Sequence, residues 1–381
     1  MNRRFAALPL ALLLALSLAA CSAAALPAAQ ADELAGLLTA REQAVLTGDR
    51  DAYLQTVDPD DPVLLVEERN LIDAARGLAI TTYTLDTANP KTDGDTLTAT
   101  LTQRSTIDGE ERSCSYPARF VRQDGEWYYA GPAFTRVSDG AVAVDYLGNS
   151  ATLARALLGI EGEVLSTMED QLGTAPRGDV TIRLYDDQQV FLQTVKLDLP
   201  AWVGGWHEYG EAIKTFVGGY GSAPEDYRAM LCHETTHLLV SELSGDNAAY
   251  WLQEGLAGCL EEALPAGGSP TGALTLDDPA FSLVDLKAMD LEALEPGNPD
   301  VTAYYATAKV YAAFLLDQYG WQRVQAMLER MAQRPMIEQS ANEKRLETNT
   351  RTDEALAASF GFDDPGFQKS FDQWWEENNN G

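Results

Sequence analysis

Cys232-His233-Glu234-Thr235-Thr236-His237 is the stretch from which this chain is best read outward. The sequence holds three histidines, and two of them stand here, four positions apart. On an α-helix, residues i and i+4 project from the same face, so both imidazoles reach a single metal ion. Glu234 follows His233 directly and is rotated about 100° from it around the helix. Its carboxylate therefore falls beside such an ion, within reach of a water instead of in the ligand set. Ser222-Ala223-Pro224 opens the predicted helix, Glu225 and Asp226 load its first turn, and Ser244-Gly245-Asp246 closes it. Acidic groups near the start suit the positive end of the helix dipole, and proline is tolerated only in the first turn. Met230, His233, His237 and Val240 share one stripe, which predicts a buried face for the pair. Two core histidines bonded to backbone would give the same stripe, so the pair alone does not decide the chemistry.

Seventeen residues beyond His237 comes Glu254, within Trp251-Leu252-Gln253-Glu254-Gly255-Leu256-Ala257. His-Glu-x-x-His followed by Trp-Leu-x-Glu-Gly-x-Ala resembles the gluzincins, zinc metallopeptidases, in their Peptidase MA-like and aminopeptidase N-like branch. The resemblance implies that His233, His237 and Glu254 hold one Zn2+ per chain and leave the fourth position to water. It implies that Glu234 is the general base, taking the proton of that water as it attacks a peptide carbonyl and passing it to the leaving amine. The likeness covers roughly residues 148–378, with the zinc-ligand helices at 223–262 and a helical C-terminal part at 280–378. Asp353-Glu354-Ala355-Leu356 and Phe371-Asp372-Gln373-Trp374-Trp375 look like the helical tail of Peptidase MA-like proteins.

Aminopeptidase N relatives also carry a tyrosine at a helix start that donates to the developing oxyanion. It precedes a small residue by three positions; Tyr305 matches, with Ala308 three residues on, and Tyr304 is one residue out of register. Core aromatics at a helix start are the alternative for both. The Gly-x-Met-x-Asn strand motif of those relatives is missing upstream of His233, which leaves endopeptidase and aminopeptidase action equally open.

Working upstream, Ala201-Trp202-Val203-Gly204-Gly205-Trp206-His207 and Ala212 to Val217 fit the edge strand that lines a gluzincin cleft and pairs with an extended substrate. His207, the remaining histidine, is expected in a loop or cleft wall and not on the metal. Before it, Leu153 to Leu172 repeat at helical spacing up to Gly173, and Val180, Ile182 and Leu184 alternate as a strand. Cys232 and Cys259 each neighbour a ligand on adjacent helices, so a disulfide between them is expected, with two buried thiols as the alternative.

Residues 32–137 read as a separate unit. Asp32 is the expected cap of a first helix, two helical segments run to about Val57, and a third spans Pro62 to Arg76. Leu97, Ala99 and Leu101 alternate, and Asp108-Gly109 and Asp124-Gly125 mark turns on either side of a strand ending at Phe120-Val121. Helices followed by an antiparallel meander resemble the α+β cone of the nuclear transport factor 2-like superfamily. A loop around Ser138-Asp139-Gly140 is expected to join the units. The fold class is thus α+β, with such a cone ahead of a gluzincin, thermolysin-like domain.

Asn2-Arg3-Arg4 precedes an apolar run from Phe5 to Ala20, whose length and flanks fit a signal peptide at 1–20 better than a membrane span. Leu18-Ala19-Ala20-Cys21 resembles the bacterial lipobox, which implies lipidation of Cys21, a tether over 21–31 and display at the cell surface or in the periplasm. Ordinary cleavage near Ala25 is the alternative. The net charge of −31 repels phosphate backbones, so nucleic acid is not an expected partner. The expected partners are a peptide or protein substrate and, through the anchor, a membrane. A rival reading is a non-catalytic metal-containing surface lipoprotein that binds a cell-envelope partner.

Overall fold

In the computed structural model, which describes residues 26–265, 274–291, 293–294, 297–337 and 341–379, the chain is α+β and carries two separate sheets. The expected signal peptide and Cys21 lie outside the described residues. The first helices are α1 (Ala28–Thr47), α2 (Arg50–Leu54) and α3 (Pro62–Ala75). Asp49 and Asp61 cap α2 and α3 by accepting from Ala52 N and Leu64 N. The cap expected at Asp32 is absent: Pro27 precedes α1, whose Ala-rich opening is helical, so the last residues of the supposed tether belong to the fold.

A meander follows: β1 (Ile80–Asp93), β2 (Thr96–Ile107), β3 (Glu110–Gln123) and β4 (Glu126–Pro132), each antiparallel to the next. Both Asp-Gly turns have positive φ at each residue, the mirror-image turn that suits the twist of a tight hairpin. Along β2, Leu97, Ala99, Leu101 and Ile107 are buried while Thr98, Thr100 and Thr102 face out. Within this unit Arg41 is buried, donates to Thr56, Tyr53 and Glu68, and lies 4.1 Å from the centre of the Tyr129 ring.

The second sheet is formed by β5 (Thr135–Asp139), β6 (Val142–Tyr146), β7 (Val180–Tyr185), β8 (Gly205–Trp206) and β9 (Ile213–Phe216), in the order β5-β6-β7-β9-β8. Strands β6, β7 and β9 run parallel, and β8 returns antiparallel at the edge. Ser138-Asp139-Gly140 is therefore a correction. Gly140, at φ 56°, turns the β5–β6 hairpin, so the second unit begins near residue 135 and no linker separates it from the first.

Helices α4 (Ala151–Leu172) and α5 (Gln188–Val195) accompany this sheet. The C-terminal half is helical: α6 (Arg228–Ser244), α7 (Tyr250–Ala263), α8 (Leu283–Ala288), α9 (Pro299–Tyr319), α10 (Trp321–Met331), α11 (Ala341–Phe360) and α12 (Asp364–Asn379). One apolar core joins α4, the second sheet and these helices. A second core holds the meander together with α5 and Leu197, Leu199 and Val203. No helix among the described residues is long and apolar enough to cross a membrane.

Candidate metal centre

Helix α6 is buried on almost every side, as a helix at the centre of a core should be. Its start is tied to the sheet: Tyr227 donates its hydroxyl to Phe216 O at 3.0 Å and accepts from Gly218 N at 2.8 Å. Gly245, at φ 62°, ends it in the left-handed conformation and lets the chain turn back into α7. Gly255 then sets the depth of α7. A Cβ there would meet the Ala308 carbonyl oxygen at 2.3 Å, so α7 and α9 touch backbone to backbone. That contact seats Glu254 against α6 and brings Tyr305 alongside.

Three ligand atoms converge. His233 Nε2 and His237 Nε2 are 3.1 Å apart, and Glu254 Oε2 lies 3.2 Å and 3.5 Å from them. These residues form a group that could hold a metal ion. Glu254 is 4% exposed, so its carboxylate is shut away from solvent beside the two rings. Burial works against the charged form of Glu254, yet the two histidines hold its carboxyl well below the usual range. On the far side of the ring, His233 Nδ1 meets Glu261 Oε2 at 2.7 Å, which turns Nε2 toward the cluster. Burial opposes the charged His233 ring, but Glu254 and Glu261 raise it well above its ordinary value. Glu261 went unnoticed in the sequence, although it stands two turns beyond Glu254 on the same face of α7.

Glu234 is 7% exposed, and its carboxylate rests on the main chain of Gly205 in β8. Burial pushes its pKa up; the two histidines oppose the rise, and Glu254 and Glu261 add to it. Tyr220, beyond β9, brings its hydroxyl to the same spot, 3.1 Å from where a Gly205 Cβ would stand. Neither Gly205 nor Tyr220 was singled out by the sequence for this role. Tyr304 is 1% exposed and packed against Tyr250 and Tyr305, whereas Tyr305 is half-buried and feels the charge of both Glu254 and Glu234. Burial first, and then Glu254, keeps the Tyr305 hydroxyl protonated far above its usual range.

The expected Cys232–Cys259 disulfide is not formed; both are buried thiols. Their sulfurs face different neighbours: Cys232 donates to Leu260 O at 3.3 Å, and Cys259 to Lys309 O on α9 at 3.4 Å. Behind α6, Thr235 donates to Glu161 Oε1 at 2.8 Å, and burial raises this fully enclosed carboxyl to about 7.

His207 lies in the wall beside the cluster and is not among its candidate ligands. Both its ring nitrogens are buried with no hydrogen-bond partner among the described residues. Burial, with His237 and Lys214 adding to it, lowers its pKa from 6.5 to about 3. Below pH 6.5 the unfolded chain takes up this proton first, so stability falls progressively as the pH drops toward 3. His207→Leu should therefore melt higher than the wild type without metal, and the gap should widen from pH 7.5 to about pH 5. Thermal melts with a gap independent of pH would contradict this assignment.

No family model and no curated protein matches the chain. Among solved structures, a function-unknown protein from Mycobacterium tuberculosis matches at 17% identity over 27% of this chain and 72% of that one, with a TM-score of 0.23. A likeness that weak carries no argument about fold or chemistry.

Proposed function

We propose that the chain is a zinc-dependent peptidase of the gluzincin type, with an amino-terminal cone like that of nuclear transport factor 2. The observation that carries the proposal is the convergence of His233, His237 and Glu254 next to a buried carboxylate, Glu234, that is not itself in the ligand group. The donor set fits zinc. Two ligands each about 2.1 Å from a tetrahedral ion stand about 3.4 Å apart, close to the spacings of the three atoms here. Two neutral imidazoles and one carboxylate are also the ligands of an open catalytic site, not of a closed structural one.

When bound, zinc supplies a Lewis acid for a carbonyl oxygen and acidifies water. Glu234 takes a proton from the attacking water at its carboxylate and delivers it to the leaving amine nitrogen; its raised pKa suits both transfers. Glu261 holds His233 in one tautomer. Tyr305 donates its hydroxyl to the developing oxyanion. The non-catalytic alternative leaves Glu234 a buried carboxylate with no task. Export with a lipid anchor at Cys21 belongs to the same proposal and rests on the sequence of residues 1–21.

Tyr305→Phe should retain zinc and fold but lose about 10²-fold in kcat. An unchanged kcat in Tyr305→Phe with a collapse in Tyr304→Phe would move the role to the neighbouring tyrosine. The proposal as a whole is tested by titrating zinc into metal-free protein and digesting a mixed peptide library. One ion per chain is expected, with cleavage that stops on chelation and returns with zinc. Tight, stoichiometric zinc without cleavage of any peptide would favour the binding alternative.

A further inference from the structure

We infer that the amino-terminal unit is the back wall of the proposed catalytic cleft, and that Glu67 is the positioning residue through which it holds the β8–β9 edge against Glu234. The inference rests on the peptidase reading for its consequence in catalysis, though not for its structural test.

The buried face of the meander is covered in part by the second unit. The cover is α5 and the segment after it: Phe191, Val195, Leu197 and Val203 share one core with Tyr83, Leu101 and Tyr116. Polar contacts close the seam. Gln103 donates to Gln193 O at 3.1 Å, Gln193 to Ser113 O at 3.3 Å, and Arg112 to Leu197 O at 2.9 Å. The segment entering Gly204-Gly205 is therefore gripped by the first unit. Trp202 and Trp206, on either side of the two glycines, pack on that same core.

The segment leaving β8 is gripped as well, by α3. Glu67 accepts from Ala212 N at 3.3 Å, lies 3.2 Å from Lys214 Nζ, and pairs closely with Arg183 of β7. One turn on, Asn70 donates to Glu211 Oε1 at 2.7 Å, and Glu211 pairs in turn with Lys214. Gly210 packs on Val66. Glu67 is 7% exposed, Arg183 8% and Lys214 2%. A single buried carboxylate from the first unit thus meets two cations and a backbone N–H of the second. Removal of one member of such a group leaves uncompensated charge, so the contact has one well-defined geometry.

The two grips meet at Gly205. With both arms of this short edge strand held, its backbone cannot retreat from α6, and Gly205 stays in contact with the Glu234 carboxylate. On this account the first unit sets where the general base sits.

Hydrogen exchange on the full chain tests this without any substrate. Glu67→Gln and the milder Asn70→Ala are compared with Asp49→Ala, which removes a helix cap in the same unit but touches nothing in the hairpin. Both α3 variants should speed exchange across residues 204–217 by about tenfold or more while 228–244 stays at the wild-type rate, and Asp49→Ala should not. Should Glu67→Gln not fold, Asn70→Ala carries the comparison. In a peptide assay the same variants should lower kcat more than they raise KM, and Glu67→Asp should recover part of the loss. Wild-type exchange at 204–217 in Asn70→Ala, or a rise spread equally over α6, overturns the inference. Absence of peptidase activity in the wild type would sink the peptidase reading and leave the exchange result to stand.

Discussion

Gly205→Ala is expected to fold and to keep its metal while losing about 10³-fold in kcat, the scale of a misplaced general base. The added methyl would stand 2.6 Å from Glu234 Oε1, closer than a real Cβ approaches a non-bonded atom, and 3.2 Å from the carboxyl carbon, a tight contact. The groups it meets are side-chain ends, the Glu234 carboxylate and the Tyr220 hydroxyl, so relief comes from rotating them away and not from unfolding. Stability should fall little, because Gly205 lies on a two-residue edge strand and its removal opens no cavity. A melting temperature near wild type with zinc retained and cleavage lost is the expected signature. Full activity in Gly205→Ala would mean that Glu234 does not work from the position it occupies here.

Glu254→Ala should weaken zinc binding by about 10³-fold or more, beyond the 10- to 100-fold expected for Glu261→Ala, whose carboxylate meets the outer nitrogen of His233. The contrast follows from geometry. Glu254 supplies one of three converging donor atoms, whereas Glu261 only orients one of them. Competition against a chelator of known affinity reads both constants. Equal losses in the two variants, or full occupancy in Glu254→Ala, would show that the third ligand is misassigned.

The sequence carries the candidate centre because the information is local. His233, Glu234 and His237 take their relative places from one helix, and Glu254 belongs to the next helix after a single glycine-capped turn. The Asp-Gly hairpins and the start of α3 at Asp61-Pro62 are legible for the same reason. What escaped depends on how elements meet. Gly205 and Tyr220 reach Glu234 only because β8 lies at the sheet edge beside α6, and no spacing in the chain encodes that approach. The cysteine sulfurs diverge because Cys259 belongs to the face of α7 that packs on α9 and not to the face toward α6. Strand β5, which spans the end of the expected first unit and the start of the expected loop at Ser138-Asp139-Gly140, is not legible because its five residues, none of them buried, show no alternation; pairing with β6 defines it. Glu67 is one acid among many on an acidic chain until Arg183 and Lys214 are brought to it.

The central claim is that Glu234 moves the proton in a metal-assisted hydrolysis, and one paired measurement addresses it most directly. Wild type and Glu234→Gln are loaded with zinc to the same stoichiometry and given the same peptide library. The amide keeps the size and place of the side chain but accepts no proton, so cleavage should fall by about 10³-fold or more while zinc affinity and melting temperature stay close to wild type. Equal cleavage by the two zinc-loaded proteins would contradict the account.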